Sequence, residues 1–387
     1  MAIRNLFTFS SEDGWKSYWK TFLLTGLSVT LLIYGSFYII DPYDCYPFSI
    51  KGERVPVSSD ARYFHTLLAR SDRFDSAIIG ASTSRNLQPH QLNPLFQSAF
   101  VNLAFNSASA YEQDRMLDLF IRHHANVKTI IWGLDMVWYT TQDEYRRFTR
   151  PDEDFPEWLY LPDADRWKQP LAFNLKNIEH SFNQLLFMLG LKQFEYGLDG
   201  FTPYHRRKPM TLDQKRMRIY GSKSPKVKKA VYPPTVLSPE KLASLVFPAE
   251  VILKAGLDRL PDRTEKILFF PPYHYYHQPA EGSREALVLA EFQRRVARLA
   301  ERYHNIYVLD FMIRSPFTTN DDLYFDNIHT TPKGGLELGD QLFQATQHDD
   351  RPDSRVLYRV HPPKSAPSDH QLKATFRKNG ALSRKSP

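Results

Sequence analysis

At 387 residues, with 42% hydrophobic and 24% charged side chains, the chain has the composition of a globular protein, which excludes a disordered or fibrous one; it can hold a membrane anchor and a large α/β domain with an insertion. The net charge of +7 is contributed in part by residues 206–229 and the tail after Lys364. With no zinc-finger spacing, ribonucleoprotein aromatic signature or basic recognition helix, nucleic-acid binding is not expected, and the single cysteine, Cys45, excludes an intrachain disulfide and a cysteine metal cluster.

The first element is residues 22–40 (FLLTGLSVTLLIYGSFYII), a run without a charge whose length suits one passage through a bilayer of about 30 Å. A buried core helix has the same pattern, but the N-terminal position favours a span. No small-residue cleavage site follows, and Asp41-Pro42-Tyr43 ends the run abruptly, so it reads as a retained signal anchor. Arg4, Lys16 and Lys20 precede it while Lys51 and Arg54 follow it, a slight positive-inside bias. The expected topology is a cytoplasmic residue 1–21 segment, a single span in the inner (cytoplasmic) membrane, and the rest facing the periplasm or exterior. Tyr34, Tyr38, Tyr43 and Tyr46 suit the outer interface, and residues 41–72 read as a membrane-proximal linker. Cys45, in DPYDCYPF, lacks the small neighbours of a lipoprotein site and reads as a buried, idle thiol.

Five continuous apolar runs then predict buried parallel strands at residues 76–80, 99–103, 128–134, 266–270 and 305–310. Helical patterns at 111–124, 285–303 and 332–347 lie between or after them, so the fold class is α/β, a three-layer α/β/α arrangement around a five-stranded parallel, flavodoxin-like sheet spanning residues 73–348. Residues 136–264 form a mostly helical insertion, a subdomain or lid. Its Trp138, Trp158 and Trp167, near the run Tyr204-His205-Arg206-Arg207-Lys208, suit either a sugar platform or a satellite core. From 349 to 387 apolar periodicity is lost, which predicts a disordered basic tail.

In open α/β sheets, reactive groups gather at the carboxyl ends of the strands. The first strand runs into Gly80-Ala81-Ser82-Thr83-Ser84-Arg85, where Gly80 permits a tight turn and Ser82 is placed to open a helix with its hydroxyl exposed, as nucleophile or as a plain N-cap. Ser84 is the rival nucleophile. A serine needs a base, and the base an orienting carboxylate; Asp326 and His329, directly before the last helix, are the candidate pair. Tyr273, His274 and His277, after the fourth strand, are candidates to line the cleft; Arg85 is a candidate to bind an acidic sugar or phosphate, or a partner in a surface ion pair. No His-x-x-x-His or comparable cluster suggests a metal, and no cofactor is expected.

Gly80-Ala81-Ser82 and Asp326-Asn327-Ile328-His329 together resemble the first and last blocks of the SGNH (GDSL-like) hydrolase superfamily. Asn102-Leu103-Ala104-Phe105-Asn106-Ser107 resembles its second block, with Ser107 where the oxyanion glycine usually stands, and Gly133-Leu134-Asp135-Met136 its third, with Asp135 in place of the oxyanion asparagine. The resemblance implies a Ser82, Asp326, His329 triad, with backbone N–H groups of Ser82 and Ser107 holding the oxyanion and Asn106 as a substitute donor. An ionised Asp135 would repel an oxyanion, so it must be protonated, turned away, or a sign of altered or lost activity. Anchored members of the superfamily act in alginate O-acetylation and teichoic acid D-alanylation. The resemblance therefore implies acyl transfer to, or ester removal from, a cell-envelope polysaccharide, beside a multispan membrane acyltransferase partner. The alternative is an inactive scaffold of the same fold that binds glycan or that partner.

Overall fold

The computed structural model describes residues 12–141, 149–166, 168, 175–203, 210–347 and 355–359; Arg4, Trp167, the run at 204–208 and the rest of the C-terminal tail lie outside the described residues. In chain order the elements are α1 (Glu12–Ile40), α2 (Ala61–Ala69), β1 (Ser76–Ile79), α3 (Pro89–Phe96), β2 (Phe100–Asn102), α4 (Ala110–His123), β3 (Thr129–Gly133), α5 (Asp163–Arg166) and α6 (Leu175–Met188). They continue with α7 (Leu212–Tyr220), α8 (Pro239–Ala243), α9 (Ala249–Arg259), β4 (Glu265–Phe270), α10 (Arg284–Ala300), β5 (Ile306–Asp310), α11 (Pro332–Gln347) and β6 (Arg355–Arg359). Two compact units divide the chain: Met1–Ser71 with Asp154–Gly200, and Asp72–Glu153 with Phe201–Pro387.

The second unit is an α/β fold on a six-stranded sheet of order β2-β1-β3-β4-β5-β6. The five apolar runs form its parallel strands β1 to β5, because their unbroken Val, Ile, Leu and Phe content can be buried along the whole strand. Ile78, Phe100, Ile131, Ile267, Phe269 and Leu309 meet Leu338 and Leu342 of α11 in one core cluster. The chain visits β2 on one side of β1 and then β3 on the other, so the order reverses at β1 and β3. That reversal opens a crevice at their carboxyl ends, where Ser82 and Asp135 follow the strands.

The sixth strand corrects the expected five-stranded sheet and a wholly disordered tail. Arg355–Arg359 pairs antiparallel with β5, and Arg355 Nη2 donates to the buried Asp310 carboxylate at 2.6 Å. An edge strand held by backbone pairing and one ion pair needs no continuous apolar run, so its Arg-Val-Leu-Tyr-Arg sequence carries little signal.

In the first unit, Gly14–Ile40 of α1 is the one helix among the described residues long and apolar enough to cross a membrane. Residues 41–72, read above as a linker, are instead packed with part of the insertion. Asp41 accepts the N–H groups of Cys45 and Tyr46 at 2.6 and 2.7 Å, while Arg54 donates to the carbonyls of Ile40, Asp41 and Ile50. Tyr43 is fully buried, its hydroxyl held between Asn177 and His180 of α6 and its ring against Phe64 and Trp158. Cys45 is buried, and burial pushes its thiol up to about 12. The insertion is thus divided: residues 154–200 fold with the chain up to Ser71, and residues 136–153 and 201–264 fold with the sheet. Its described residues form short helices joined by irregular stretches, with no strand among them.

Candidate active site

Ser82 opens a single 3-10 turn, Ser82–Ser84, and not the expected α-helix, which starts only at Pro89. Two local causes are visible. Proline disfavours helical backbone at the residue before it. In addition, the Asn102 amide donates to the carbonyls of Ser84, Arg85 and Leu87 at 3.1, 3.2 and 2.8 Å, taking acceptors that a helix would use. Any positive field at Ser82 therefore comes from individual N–H groups and not from a long helix. Asn102→Ala removes this clamp and is expected to cost about 3 kcal/mol of stability, read as a lower urea midpoint, because buried carbonyls lose their donor.

Ser84 fills the space beneath the turn. It is wholly buried, and a Cβ at either Gly80 or Gly133 would collide with its hydroxyl, so the two glycines let the turn settle on the sheet. Burial removes Ser84 as a rival nucleophile. Ser82, by contrast, is partly exposed.

Asp326 and His329 share one closed turn. Phe325 N–H donates to the His329 carbonyl at 2.8 Å, and Asp326 Oδ1 accepts the N–H groups of Ile328 and His329 at 3.0 and 2.9 Å. The same carboxylate stands 2.9 and 2.8 Å from His329 Nδ1. Facing a carboxylate, Nδ1 carries the ring proton, which leaves the Nε2 lone pair toward Ser82. Ser82 Oγ lies 2.8 Å from Nε2, within donating distance. Burial raises the Asp326 pKa, but the His329 bond and charge and the two N–H donors outweigh it and hold the carboxyl below its usual range. The turn is moored by Tyr324, whose hydroxyl donates to the Pro272 carbonyl at 2.7 Å, and by the Asn86 amide on the Thr330 carbonyl.

Ser107 has φ of +53°, in the left-handed region that favours glycine. The backbone here adopts a conformation natural to the glycine of the resembled second block, with a serine strained into it. Ser107→Gly is expected to leave stability equal or raise it by up to about 1 kcal/mol in thermal unfolding, relief of strain being partly offset by unfolded-state entropy. Neighbouring Asn106 is exposed, and its Oδ1 accepts from Arg85 Nη1 at 2.7 Å, so Arg85 is buried against the site loop and not on a helix surface.

Asp135 is 3% exposed at the end of β3. Thr83 Oγ1 donates to it at 3.3 Å and Val137 N–H at 3.4 Å, and no cation pairs with it among the described residues. Burial pushes its pKa up to about 7, the two long hydrogen bonds offsetting only part of the shift. A neutral carboxyl has an O–H to donate, as an asparagine amide has N–H. Thr83, the residue bonded to it, carried no sequence signal beyond its place after Ser82.

Tyr273 is buried, its hydroxyl accepting from Met136 N–H at 3.1 Å. His274 is a correction. Its Nδ1 accepts from Tyr276 N–H at 3.2 Å and its Nε2 faces Asp321 at 3.1 Å, in a buried network with Tyr220 and Arg216. Burial lowers its pKa against the opposing pull of Asp321; at 2% exposed and with both ring nitrogens engaged, it packs the loop and not the cleft. His277 does line a cavity beside the site. Trp138 is also core: fully buried, edge-on to Trp132, with its N–H on Gln113. Among the described residues, no three His, Cys, Asp or Glu side chains are grouped to hold a metal ion.

Together Ser82, His329 and Asp326 are arranged as a hydroxyl, a base and an orienting carboxylate, which is the chemical requirement for an activated serine. No family model matches the chain, and no curated protein sequence matches it.

Proposed function

We propose that this chain is an SGNH-type serine acyltransferase or esterase acting on an extracytoplasmic cell-envelope glycan. The observation that carries this reading is the 2.8 Å approach of His329 Nε2 to Ser82 Oγ, with Asp326 on the other ring nitrogen. Ser82 Oγ attacks an acyl ester or thioester, its proton passes to His329 Nε2, and the tetrahedral intermediate collapses as His329 returns that proton to the leaving oxygen or sulfur. Backbone N–H groups of Ser82 and Ser107 are assigned to the oxyanion, with Asn106 beside them. The acyl-Ser82 then passes to water or to a sugar hydroxyl.

The β2-β1-β3-β4-β5 order supports the three-layer, flavodoxin-like form of the domain, since that doubly wound order is the flavodoxin one. The apolar helix Gly14–Ile40 supports a signal anchor, and the slight positive-inside bias a domain outside the inner membrane. A multispan membrane acyltransferase that exports the acyl group is the partner this topology suits.

Asp135 in place of the oxyanion asparagine favours a second reading, a non-catalytic scaffold that binds glycan or that partner. Intact-mass measurement of the full-length protein in detergent, after treatment with a fluorophosphonate, separates the two. The enzyme reading expects one adduct on wild type and none on Ser82→Ala; a folded wild type that stays unlabelled supports the scaffold.

A further inference from the structure

A cavity of about 440 Å³ opens beside the serine site, a size within the usual range for small-ligand pockets. Its wall includes Asn327 and Ile328, the two residues between Asp326 and His329, and Met136, the residue after Asp135. The cavity therefore borders the same turn that holds the base.

Its lining is mixed. Half-buried Tyr139 offers a ring, with its hydroxyl engaged by Tyr273. Thr140 and Thr141 bring hydroxyls from the start of the insertion. Asn327 Nδ2 donates to His277 Nδ1 at 3.3 Å, which leaves Asn327 Oδ1 as an acceptor. Arg284 and Glu285, exposed in the first turn of α10, add a donor and an acceptor of opposite charge at the rim. An acyl chain would use only the apolar part of such a wall. A pyranose ring has an apolar C–H face for the aromatic and a rim of hydroxyls that both donate and accept, so it uses all of it.

We propose that this cavity is the acceptor subsite, taking a pyranose residue of the polysaccharide so that one ring hydroxyl reaches acyl-Ser82; the proposal rests on the acyl-transfer reading above. The sugar hydroxyl attacks the acyl carbon, giving its proton to His329 Nε2. A new bond forms between the sugar oxygen and the acyl carbon, the bond from that carbon to Ser82 Oγ breaks, and the proton returns to Ser82, with no change of oxidation state.

The test uses full-length protein in detergent with 4-nitrophenyl acetate as donor and chitotetraose, cellotetraose and tetramannuronate as acceptors. Nitrophenol release reports acylation, and mass spectrometry reports acetylated saccharide. Wild type is expected to acetylate at least one saccharide. Thr140→Trp, which puts an indole into the cavity, is expected to lower that product by about 10-fold or more while nitrophenol release and fluorophosphonate labelling stay within about two-fold. Arg284→Ala, at an exposed position, is expected to raise the half-saturating saccharide concentration by about five-fold at unchanged maximal rate. Labelling without any transfer, or transfer indifferent to Thr140→Trp, overturns the acceptor assignment. Nitrophenol release that falls together with transfer overturns it too, and places the acyl donor in the cavity. Loss of labelling in wild type overturns the serine reading itself, and this inference with it.

Discussion

Replacing His329 by glutamine is expected to slow fluorophosphonate reaction at Ser82 by about 10³-fold, and Asp326→Asn by about 10²-fold or more. Glutamine removes the base that stands 2.8 Å from the serine oxygen. Asparagine keeps an oxygen for the Ile328 and His329 N–H groups, so the turn survives, but it loses the charge that opposes His329 Nδ1. Its amide can favour the wrong tautomer, with the Nε2 lone pair no longer available to Ser82. Both substitutions leave the β-sheet core untouched, so urea midpoints should move far less than the rates. The measurement is the labelling rate by intact mass at fixed probe concentration. Equal, measurable rates in all three proteins would sink the triad, since the serine would then react without the base or its carboxylate.

Asp135→Asn is expected to change both the stability and the reactivity of the protein, and to do so with a particular pH dependence. The folded carboxyl titrates at about 7 against an ordinary value of 3.8, burial being the main cause. Below about pH 4 the group is neutral in folded and unfolded chains alike, and the variant should gain little. As pH rises toward 7 the unfolded chain ionises while the folded protein keeps its proton, so wild-type stability falls and then levels off above the folded pKa. The full difference is on the order of 4 kcal/mol. Urea unfolding at a series of pH values should therefore show the variant pulling ahead between about pH 4 and 7 and holding its advantage above that. The labelling rate of wild type should also decline above about pH 7, where the ionised group repels a developing oxyanion, while the variant is spared that decline. Parallel profiles for the two proteins would mean that Asp135 is not a buried neutral acid beside the reacting centre.

Much of the scaffold and part of the site were legible from one dimension. Continuous apolar runs identified all five parallel strands to within one or two residues, because strands with buried side chains along their whole length need such runs. The residue 332–347 pattern became α11 with the same bounds. Asp326 and His329 were legible as a pair because a spacing of three lets one carboxylate close a turn and hold the ring, a local geometry. The left-handed backbone at Ser107 suits a glycine, although the residue itself gives no sign of it.

The rest depended on partners distant in the chain. Ser84 and Ser82 are two residues apart and chemically alike, yet packing against Gly80 and Gly133 buries one and leaves the other partly exposed. His274 and Trp138 had the right types for a cleft and a sugar platform, but Asp321, Tyr220 and Gln113 had to be brought to them before their places in the core could be known. β6 pairs through its backbone, which every sequence possesses, and through an ion pair with Asp310. By itself, then, the sequence determined the apolar helix, the α/β class and the pairing of Asp326 with His329, because burial patterns and short-range turns are written in consecutive residues. The tertiary structure alone decided which serine meets the histidine and how deeply Asp135 is taken from water, because both depend on the crevice made where the order of strands reverses.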